Sequence, residues 1–227
     1  MDRSKSIEAL IIKSRKDFEE LKYEYQRSLD KKTILEELKI DIKNIFENLR
    51  SCLDYLAHDI NEGCINIKPK PKLYFPVRQT KKEFDNTIAT DFPDLQKIKP
   101  EIYNILESIQ PYCDNWLGNF NRLNNNNKHQ DLQEQTRTES RFVNVTSKKL
   151  GGSVSWGPGV TFGNGVSVMG VPIDPRTQMP IPNKQVNTLV TIWINFLFTE
   201  NNESVLPFIE KSINKIDDIC KEVKKYI

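Results

Sequence analysis

The sequence has few residues of the types that hold metal ions or form disulfide bonds. It contains two histidines and four cysteines in 227 residues. The cysteines form no Cys-x-x-Cys pair and the histidines lie far apart, so neither a zinc site nor a disulfide framework is expected. We predict free thiols in a reducing cytoplasm, and neither a metal ion nor a cofactor. The residues concerned are Cys52, Cys64, Cys113, Cys220, His58 and His129.

Long apolar runs are also missing. The strongest one, residues 189–198, is interrupted by Thr191 and Asn195 and predicts a buried strand. The chain starts with a charged segment rather than an apolar signal region, so we expect no targeting peptide and no membrane association.

A large excess of either charge is lacking too, because the formal net charge is only +2. A general positive field around the protein is therefore excluded as a means of binding nucleic acid, and any phosphate contact must come from a local cluster. One such cluster lies between Gly63 and Lys82, where basic residues occur without an acidic one. It is either a phosphate-binding segment or a solvated loop. Its members are Lys68, Lys70, Lys72, Arg78, Lys81 and Lys82.

Two long helices are predicted at the start of the chain. Apolar residues three or four positions apart indicate an amphipathic helix over residues 7–25, which the charged residues 30–32 end. Thr33 and Glu36 have the spacing of a capping box, and the apolar pattern then continues to Ile60. Because the connection is short, the two helices are predicted to pack as an antiparallel hairpin.

Shorter helices are predicted in the middle of the chain. Three prolines make residues 62–76 a crossover that ends in an extended stretch at 73–75. A short helix is expected near 81–86, and Pro100 begins another that Pro111 ends. Asp114 is placed to cap the next helix. The residues that this helix is predicted to bury are Trp116, Leu117, Phe120 and Leu123.

The composition changes after residue 139, where glycines separate short Val/Ser/Trp/Phe stretches. This pattern predicts strands near 141–147, 153–156, 166–171 and 186–198. The glycines are interpreted as turn residues, because no Gly-Lys-Ser/Thr follows them and no helix opens after them. An amphipathic helix over 203–226 is predicted to pack on the first two helices.

The predicted fold class is α+β. We expect a helical bundle built on a long antiparallel helix hairpin, with a small antiparallel β-sheet insertion and a C-terminal helix. The length suits a single domain over 1–227, made of a helical core (1–138), a glycine-rich sheet (139–200) and a C-terminal helix (201–227).

The most informative segment for chemistry runs from Arg122 to His129 with asparagines and a lysine between them. Histidine can exchange a proton near neutral pH, and arginine offers a charged fork that fits phosphate oxygens. Both are named as catalytic candidates for RNA cleavage without a metal. The other interpretation is a solvated turn at the end of a helix. Predicted substrate contacts nearby are Asn126, Asn127 and Lys128.

A second polar set lies on the second helix, where Arg50, Asp54 and His58 are four positions apart and share one strip. Arg50 and Asp54 are further catalytic candidates, and His58 is a substrate-binding candidate. Pairs at this spacing are also common surface decoration. If the second helix and the Trp116 helix belong to one bundle, the two polar sets could meet and supply a base, cations for the phosphorane and an orienting carboxylate.

The spacing Arg122-x6-His129 on a helical core resembles the Arg-x4-6-His motif of the HEPN superfamily, many of whose members are metal-independent ribonucleases. Residues 35–135 also resemble a group of uncharacterised bacterial proteins that share an order of four segments. These segments are Asn48-Leu49-Arg50-Ser51-Cys52-Leu53-Asp54-Tyr55-Leu56-Ala57, Phe75-Pro76, Ile109-Gln110-Pro111-Tyr112 and Asn127-Lys128-His129.

The resemblance implies that Arg122 steadies the phosphate and that His129 acts as acid or base. It also implies a homodimer, for which the helical face with Arg50 and Asp54 is the expected contact, and a cognate antitoxin or regulatory protein within toxin-antitoxin or phage-defence systems. Leu123 departs from the family, which often has a polar residue after the motif arginine, so either Arg122 or Arg50 supplies the cation. A non-enzymatic nucleic-acid- or protein-binding module of the same fold is the alternative.

Overall fold

The computed structural model of the protein describes residues 3–27, 36–65, 72–129, 135–148 and 151–227. The chain forms two compact units. Unit 1 consists of Met1–Thr136 and Leu197–Ile227 and contains the helices, whereas unit 2 consists of Arg137–Phe196 and contains most of the strands. The predicted α+β class is confirmed. No helix in the described ranges is long and apolar enough to cross a membrane.

Helices α1 (Ser4–Arg27) and α2 (Glu36–Ile60) form the predicted hairpin. Their apolar stripes are buried against each other, as the spacing of three and four residues requires. The direction is antiparallel, because Arg3 at the start of α1 donates to Asp59 at the end of α2 over 3.0 Å. The predicted capping box of Thr33 and Glu36 lies outside the residues whose side chains are described.

Helix α7 (Val205–Lys224) packs along α1 and α2, which confirms the predicted return of the C-terminal helix. An ion pair of 2.8 Å joins Arg15 of α1 to Asp217 of α7. On the inner side, the indole of Trp116 donates to the Ser212 hydroxyl over 3.0 Å, so the one buried polar group on this face of α7 has a partner.

The connection between α2 and the later helices differs from the predicted crossover at its start. Asn61–Ile65 is a π-helical continuation of α2, and residues 72–78, where the described chain resumes, run without a helix or a strand. Helix α3 (Lys81–Asp91) is longer than predicted and begins with a capping box, since Thr80 and Glu83 bond each other's backbone N–H groups. A Thr-x-x-Glu signal for this box is present in the sequence.

Three further helices belong to the described part of unit 1. They are α4 (Leu95–Ile98), α5 (Pro100–Ser108) and α6 (Asn115–His129). Pro100 occupies the first turn of α5 as predicted. Asp114 caps α6 as predicted, because its Oδ1 accepts from the Trp116 N–H over 3.0 Å. The residues predicted to be buried along α6, namely Trp116, Leu117, Phe120 and Leu123, are all buried.

The described strands form two small antiparallel sheets, and most of their residues belong to unit 2. One has the order β2-β1-β6, with β1 at Gln135–Ser147, β2 at Ser153–Trp156 and β6 at Val186–Phe198. The other has the order β3-β4-β5, with β3 at Ser167–Val168, β4 at Val171–Asp174 and β5 at Met179–Pro180. Val143, Val145, Trp156, Val171, Ile173 and Val186 form the core of unit 2.

The predicted strand at 166–171 is wrong in its continuity. The chain turns between β3 and β4 through Met169 and Gly170, whose φ angles are 51° and 73°. Positive φ at two successive residues produces the tight turns that connect antiparallel strands, and glycine adopts it without strain. Position 170 is therefore a turn, and Val168 pairs with Val171 across it.

Candidate functional site

A polar cleft opens on unit 1 where α2, the extended residues 72–78 and α6 meet, and we call it the basic cleft. Its volume is ≈ 380 Å³. Its cations outnumber its carboxylates, because Arg50, Lys72 and Arg78 line it together with Asp54 and Asp91. The remaining lining residues are Tyr74, Phe75, Val77, Asn121 and Asn125.

Arg50 is fixed by groups from three parts of the chain. One terminal nitrogen lies 3.0 Å from Asp54 Oδ1 and donates to the Phe75 carbonyl over 3.2 Å. The other donates to Asn121 Oδ1 of α6 over 3.2 Å. The side chain is only 12% exposed. A guanidinium has five N–H donors in a planar fork, so Arg50 keeps donors for an anion while its position is set.

Asp54 connects α2 to the extended segment as well. Its Oδ1 accepts from the Phe75 N–H over 2.9 Å, while the Phe75 carbonyl accepts from Arg50. The alternation of an extended chain explains why Phe75 can serve in this way, since Leu73 and Phe75 are buried and Tyr74 between them is 57% exposed. The Arg50–Asp54 pair thereby binds both the backbone N–H and the backbone carbonyl of Phe75.

Gln110 holds the far end of the extended segment. It is fully buried, its Oε1 accepts from the Arg78 N–H over 2.9 Å, and its Nε2 donates to the carbonyls of Pro76 and Leu106 over 3.0 and 2.8 Å. The side chain of Arg78 in turn donates to the Thr87 hydroxyl over 2.7 Å. All hydrogen-bond partners of the Gln110 side chain are backbone groups, so its role is to position Arg78 and not to contact a ligand.

Lys72 and Arg78 form no ion pair with another residue in the part of the chain that the structure describes. Both belong to the basic cluster found in the sequence. Lys81 of the same cluster is different, because it pairs with Asp85 and Glu107 at 2.7 and 2.8 Å. Lys68 and Lys70 lie outside the described residues, and Lys82 is exposed. The cluster therefore divides into cleft residues and residues of other surfaces.

Arg122 is absent from the described lining of the basic cleft. Its Nε lies 2.7 Å from Glu200 Oε1, and a terminal nitrogen donates to Asn119 over 3.2 Å. Asn126, one turn further along α6, donates to the other oxygen of Glu200 over 2.9 Å. Glu200 thus engages two of the predicted site residues together.

The last predicted site residues of α6 are described only in part. The helix reaches His129, but the side chains of Asn127, Lys128 and His129 lie outside those the structure describes. Asn121 and Asn125 line the cleft one turn apart, and residue 129 follows Asn125 by one more turn of the same helix. Backbone spacing thus brings position 129 to the end of the strip that lines the cleft.

His58 is half-buried and does not line the cleft among the described residues. Its Nδ1 is buried and has no hydrogen-bond partner within the described ranges. Arg50 and Asp54 are therefore the members of the α2 strip that the structure brings to α6.

Two residues of the cleft, Asn121 and Asn125, were not predicted. They have the i, i+4 spacing that places residues on one helical face, and Asn125 lies within the polar tract, so a signal for them exists in the sequence. Gln110 carries no such signal for its buried role, because the backbone groups of Pro76 and Arg78 that it binds are far away in the chain.

The start of α6 is held electrostatically. The Lys215 ammonium donates to Asp114, and this bond, helped by the N–H of Trp116, holds the pKa of the Asp114 carboxyl below its usual value. A carboxylate at a helix N-terminus also interacts favourably with the helix dipole. The cap therefore stabilises the helix that carries Asn121 and Asn125.

No group of three or more His, Cys, Asp or Glu side chains that could hold a metal ion occurs among the described residues. No family model, no curated protein and no solved structure matches the chain. The resemblance to the HEPN superfamily stays a prediction.

Proposed function

We propose that unit 1 is a metal-independent endoribonuclease of HEPN type, with the RNA backbone bound in the basic cleft. The observation that supports this most directly is the position of Arg50, which Asp54 and Asn121 fix in one cleft with Lys72 and Arg78. Three cations around one cavity suit a phosphodiester, whose charge rises in the transition state.

The proposed reaction is an internal transfer. The 2′-oxygen of the RNA attacks the adjacent phosphorus and the bond to the 5′-oxygen breaks. A base removes the 2′-proton and an acid gives a proton to the leaving oxygen, so the products are a 2′,3′-cyclic phosphate and a 5′-hydroxyl. His129 is assigned to proton transfer, Arg50 to the phosphorane, and Asp54 to the orientation of Arg50.

The test is incubation of the purified protein with labelled single-stranded RNA, in chelator and in magnesium. Cleavage in both buffers is expected, with cyclic phosphate ends and no attack on a matched DNA. His129→Ala and Arg50→Ala should each abolish it, whereas Arg176→Ala, an exposed cation of unit 2, should not. A requirement for a divalent ion, or equal attack on DNA, would contradict internal transfer.

The alternative is a module that binds RNA or a protein without cleaving. The observation that favours it is the engagement of Arg122 and Asn126 by Glu200, which uses two residues of the tract for a contact within the protein. In the same assay, this function would give RNA retention that depends on Arg50 but no product in either buffer.

A further inference from the structure

Unit 2 has a cavity of its own beside its core, and we call it the Trp156 pocket. Its volume is ≈ 300 Å³, at the lower end of the range of about 300–1,000 Å³ in which small-molecule sites occur. Strand β1, the residues around the end of β2 and the turn between β4 and β5 line it. All of its lining residues belong to unit 2 and none of them lines the basic cleft, so the pocket is a separate site.

The buried part of the lining is apolar and is held in a fixed orientation. Val143 of β1 and Trp156 of β2 are paired across the two strands, and both are buried. The Trp156 indole donates to the Gln178 carbonyl over 3.3 Å, and its ring meets the Phe162 ring edge-on with the centroids 5.1 Å apart. Because an indole has a single donor, Trp156 offers a ligand only its apolar surface.

Gln178 joins the turn between β4 and β5 to the segment that follows β2. Its Oε1 accepts from the Phe162 N–H over 2.6 Å, and its Nε2 donates to the Phe162 carbonyl over 3.2 Å. Its φ of 57° is unfavourable for a residue other than glycine, and such conformations are concentrated at ligand-binding and active sites. These contacts shape the pocket before any ligand binds, which lowers the entropic cost of binding.

Two opposite charges complete the lining. Glu139, Arg141 and Val143 occupy alternate positions of β1, so their side chains leave the same face of the strand. Glu139 and Arg141 are exposed, and their Cα atoms are about 6.4–6.8 Å apart at two strand positions' distance. Arg141 forms no ion pair with another residue in the ranges that the structure describes. The pocket thus combines an apolar surface with a carboxylate that accepts two hydrogen bonds and a guanidinium that donates two.

This combination defines the ligand that fits. The ligand needs a flat apolar face, a pair of donors for Glu139 and a pair of acceptors for Arg141, on neighbouring edges of one ring system. Guanine has this pattern, because N1–H and the N2 amino group are adjacent donors, whereas O6 and N7 are the acceptors that arginine usually binds with both arms. Adenine has one amino group and no second donor beside it, so it matches the carboxylate poorly.

We propose that the Trp156 pocket binds a guanine base, with the ring against Trp156, the N1–H and N2 donors on Glu139, and O6 and N7 on Arg141. The base belongs to a free guanine nucleotide or to an unpaired guanosine of RNA, since both present the same edges. The site lies in unit 2 and does not depend on the proposed ribonuclease activity.

The experiment is titration calorimetry of the full chain with nucleoside monophosphates. Guanosine monophosphate is expected to bind at least about tenfold more tightly than adenosine monophosphate, as one bidentate contact usually discriminates. Inosine monophosphate lacks the N2 amino group and 7-deazaguanosine monophosphate lacks the N7 acceptor, so each should bind about tenfold more weakly than guanosine monophosphate. Adenosine monophosphate bound as tightly as guanosine monophosphate would overturn the proposal.

Two variants test the assigned contacts separately. In Glu139→Ala, guanosine and inosine monophosphate should bind equally, while the loss caused by 7-deazaguanosine remains. In Arg141→Ala, guanosine and 7-deazaguanosine monophosphate should bind equally, while the loss caused by inosine remains. Lys184→Ala removes an exposed cation of unit 2 outside the lining and should leave every ratio unchanged. Variants that lower all affinities by the same factor would show a structural role only and would contradict the assignment.

Two 2′-O-methylated oligonucleotides, which cannot undergo internal transfer, decide the source of the base. One contains only uridine and the other has a single central guanosine. Tighter binding of the second assigns the pocket to RNA, whereas equal binding of both, together with binding of guanosine monophosphate, assigns it to a free nucleotide. Arg50→Ala should weaken both oligonucleotides through the basic cleft and keep their ratio, so failure of the proposed function is seen separately. No guanosine monophosphate binding and no guanosine preference, or a preference that Arg50→Ala removes and Glu139→Ala does not, would overturn the proposal.

Discussion

The Nε of Arg122 lies 2.7 Å from Oε1 of Glu200, whereas the guanidinium of Arg50 is bound by Asp54 and Asn121. The sequence left open which arginine supplies the cation for phosphate binding. Both arginines pair with a carboxylate, but Arg50 lines the basic cleft, whereas Arg122 is absent from its described lining. The geometry supports Arg50 as the phosphate ligand in the proposed reaction.

Replacing Glu200 with glutamine should strengthen RNA binding. The substitution removes a negative charge beside Arg122 and leaves its guanidinium open to a phosphate. Stability should change by less than about 1 kcal/mol, because the Arg122 side chain is 51% exposed in this pair. Fluorescence anisotropy at fixed salt measures the affinity, and a dissociation constant equal to or higher than that of wild type would argue against the effect.

The buried amide of Gln110 should be essential for the shape of the cleft. Gln110→Glu puts a carboxylate oxygen where an N–H group faces the carbonyls of Pro76 and Leu106, so we expect a loss of about 3–5 kcal/mol in the free energy of unfolding. Urea denaturation checks this value. Gln79→Glu, at an exposed position of the same segment, is the control and should cost little.

Gln110→Met tests the role of the same residue in RNA binding. It keeps the volume but leaves the Arg78 N–H and two carbonyls without partners, at about 1–3 kcal/mol for each group that water does not reach. If the variant is folded, its RNA affinity should fall because Arg78 is displaced. Full affinity in a folded variant would show that Gln110 does not position the cleft.

The long helices could be predicted because their information is local. Residues spaced three and four apart determine the buried face of α1, α2 and α7, and Asp114 occupies a cap position that is visible in the sequence. The bounds of β2 were also predictable, since turn residues flank it.

The basic cleft was predictable only in part, because its contacts are long-range. Arg50 and Asp54 could be named from their spacing on α2, but their partners Phe75 and Asn121 come from distant parts of the chain. Every residue has a backbone carbonyl, so a hydrogen bond to one does not require a particular residue type and cannot be recognised in the sequence. The role of Gln110 follows from such bonds alone, and only tertiary structure reveals it.

The hairpin core should fail when a charge enters it. Leu49 is fully buried in α2, and Leu49→Asp leaves an unpaired carboxylate among apolar side chains, at a cost of several kcal/mol. We expect loss of the cooperative thermal transition followed by circular dichroism. Ile40 is 47% exposed on the same helix, so Ile40→Asp should keep the cooperative transition. A wild-type melting temperature for Leu49→Asp would contradict the described core.

The cap of α6 should make stability depend on pH. The Lys215 ammonium and the Trp116 N–H lower the pKa of Asp114 in the folded protein. A carboxyl group whose pKa is lowered by folding contributes stability that is fully present above its unfolded pKa, about 3.9, and is lost as the pH falls through the lower folded value. Asp114→Ala should therefore cost about 0.5–2 kcal/mol at neutral pH, the usual value of an N-cap.

Asp114→Asn separates the charge from the hydrogen bond. Asparagine keeps an oxygen that can accept from the Trp116 N–H but cannot form the ion pair with Lys215. Urea denaturation at several pH values should give wild type a higher free energy of unfolding than Asp114→Asn at neutral pH. This difference should disappear as the pH falls below the unfolded pKa of about 3.9. The difference in the free energy of unfolding between wild type and Asp114→Ala should narrow over the same pH range, because protonation of Asp114 removes its ion pair with Lys215. A gap between wild type and Asp114→Asn that is constant with pH would mean that the Asp114 charge contributes nothing to the start of α6.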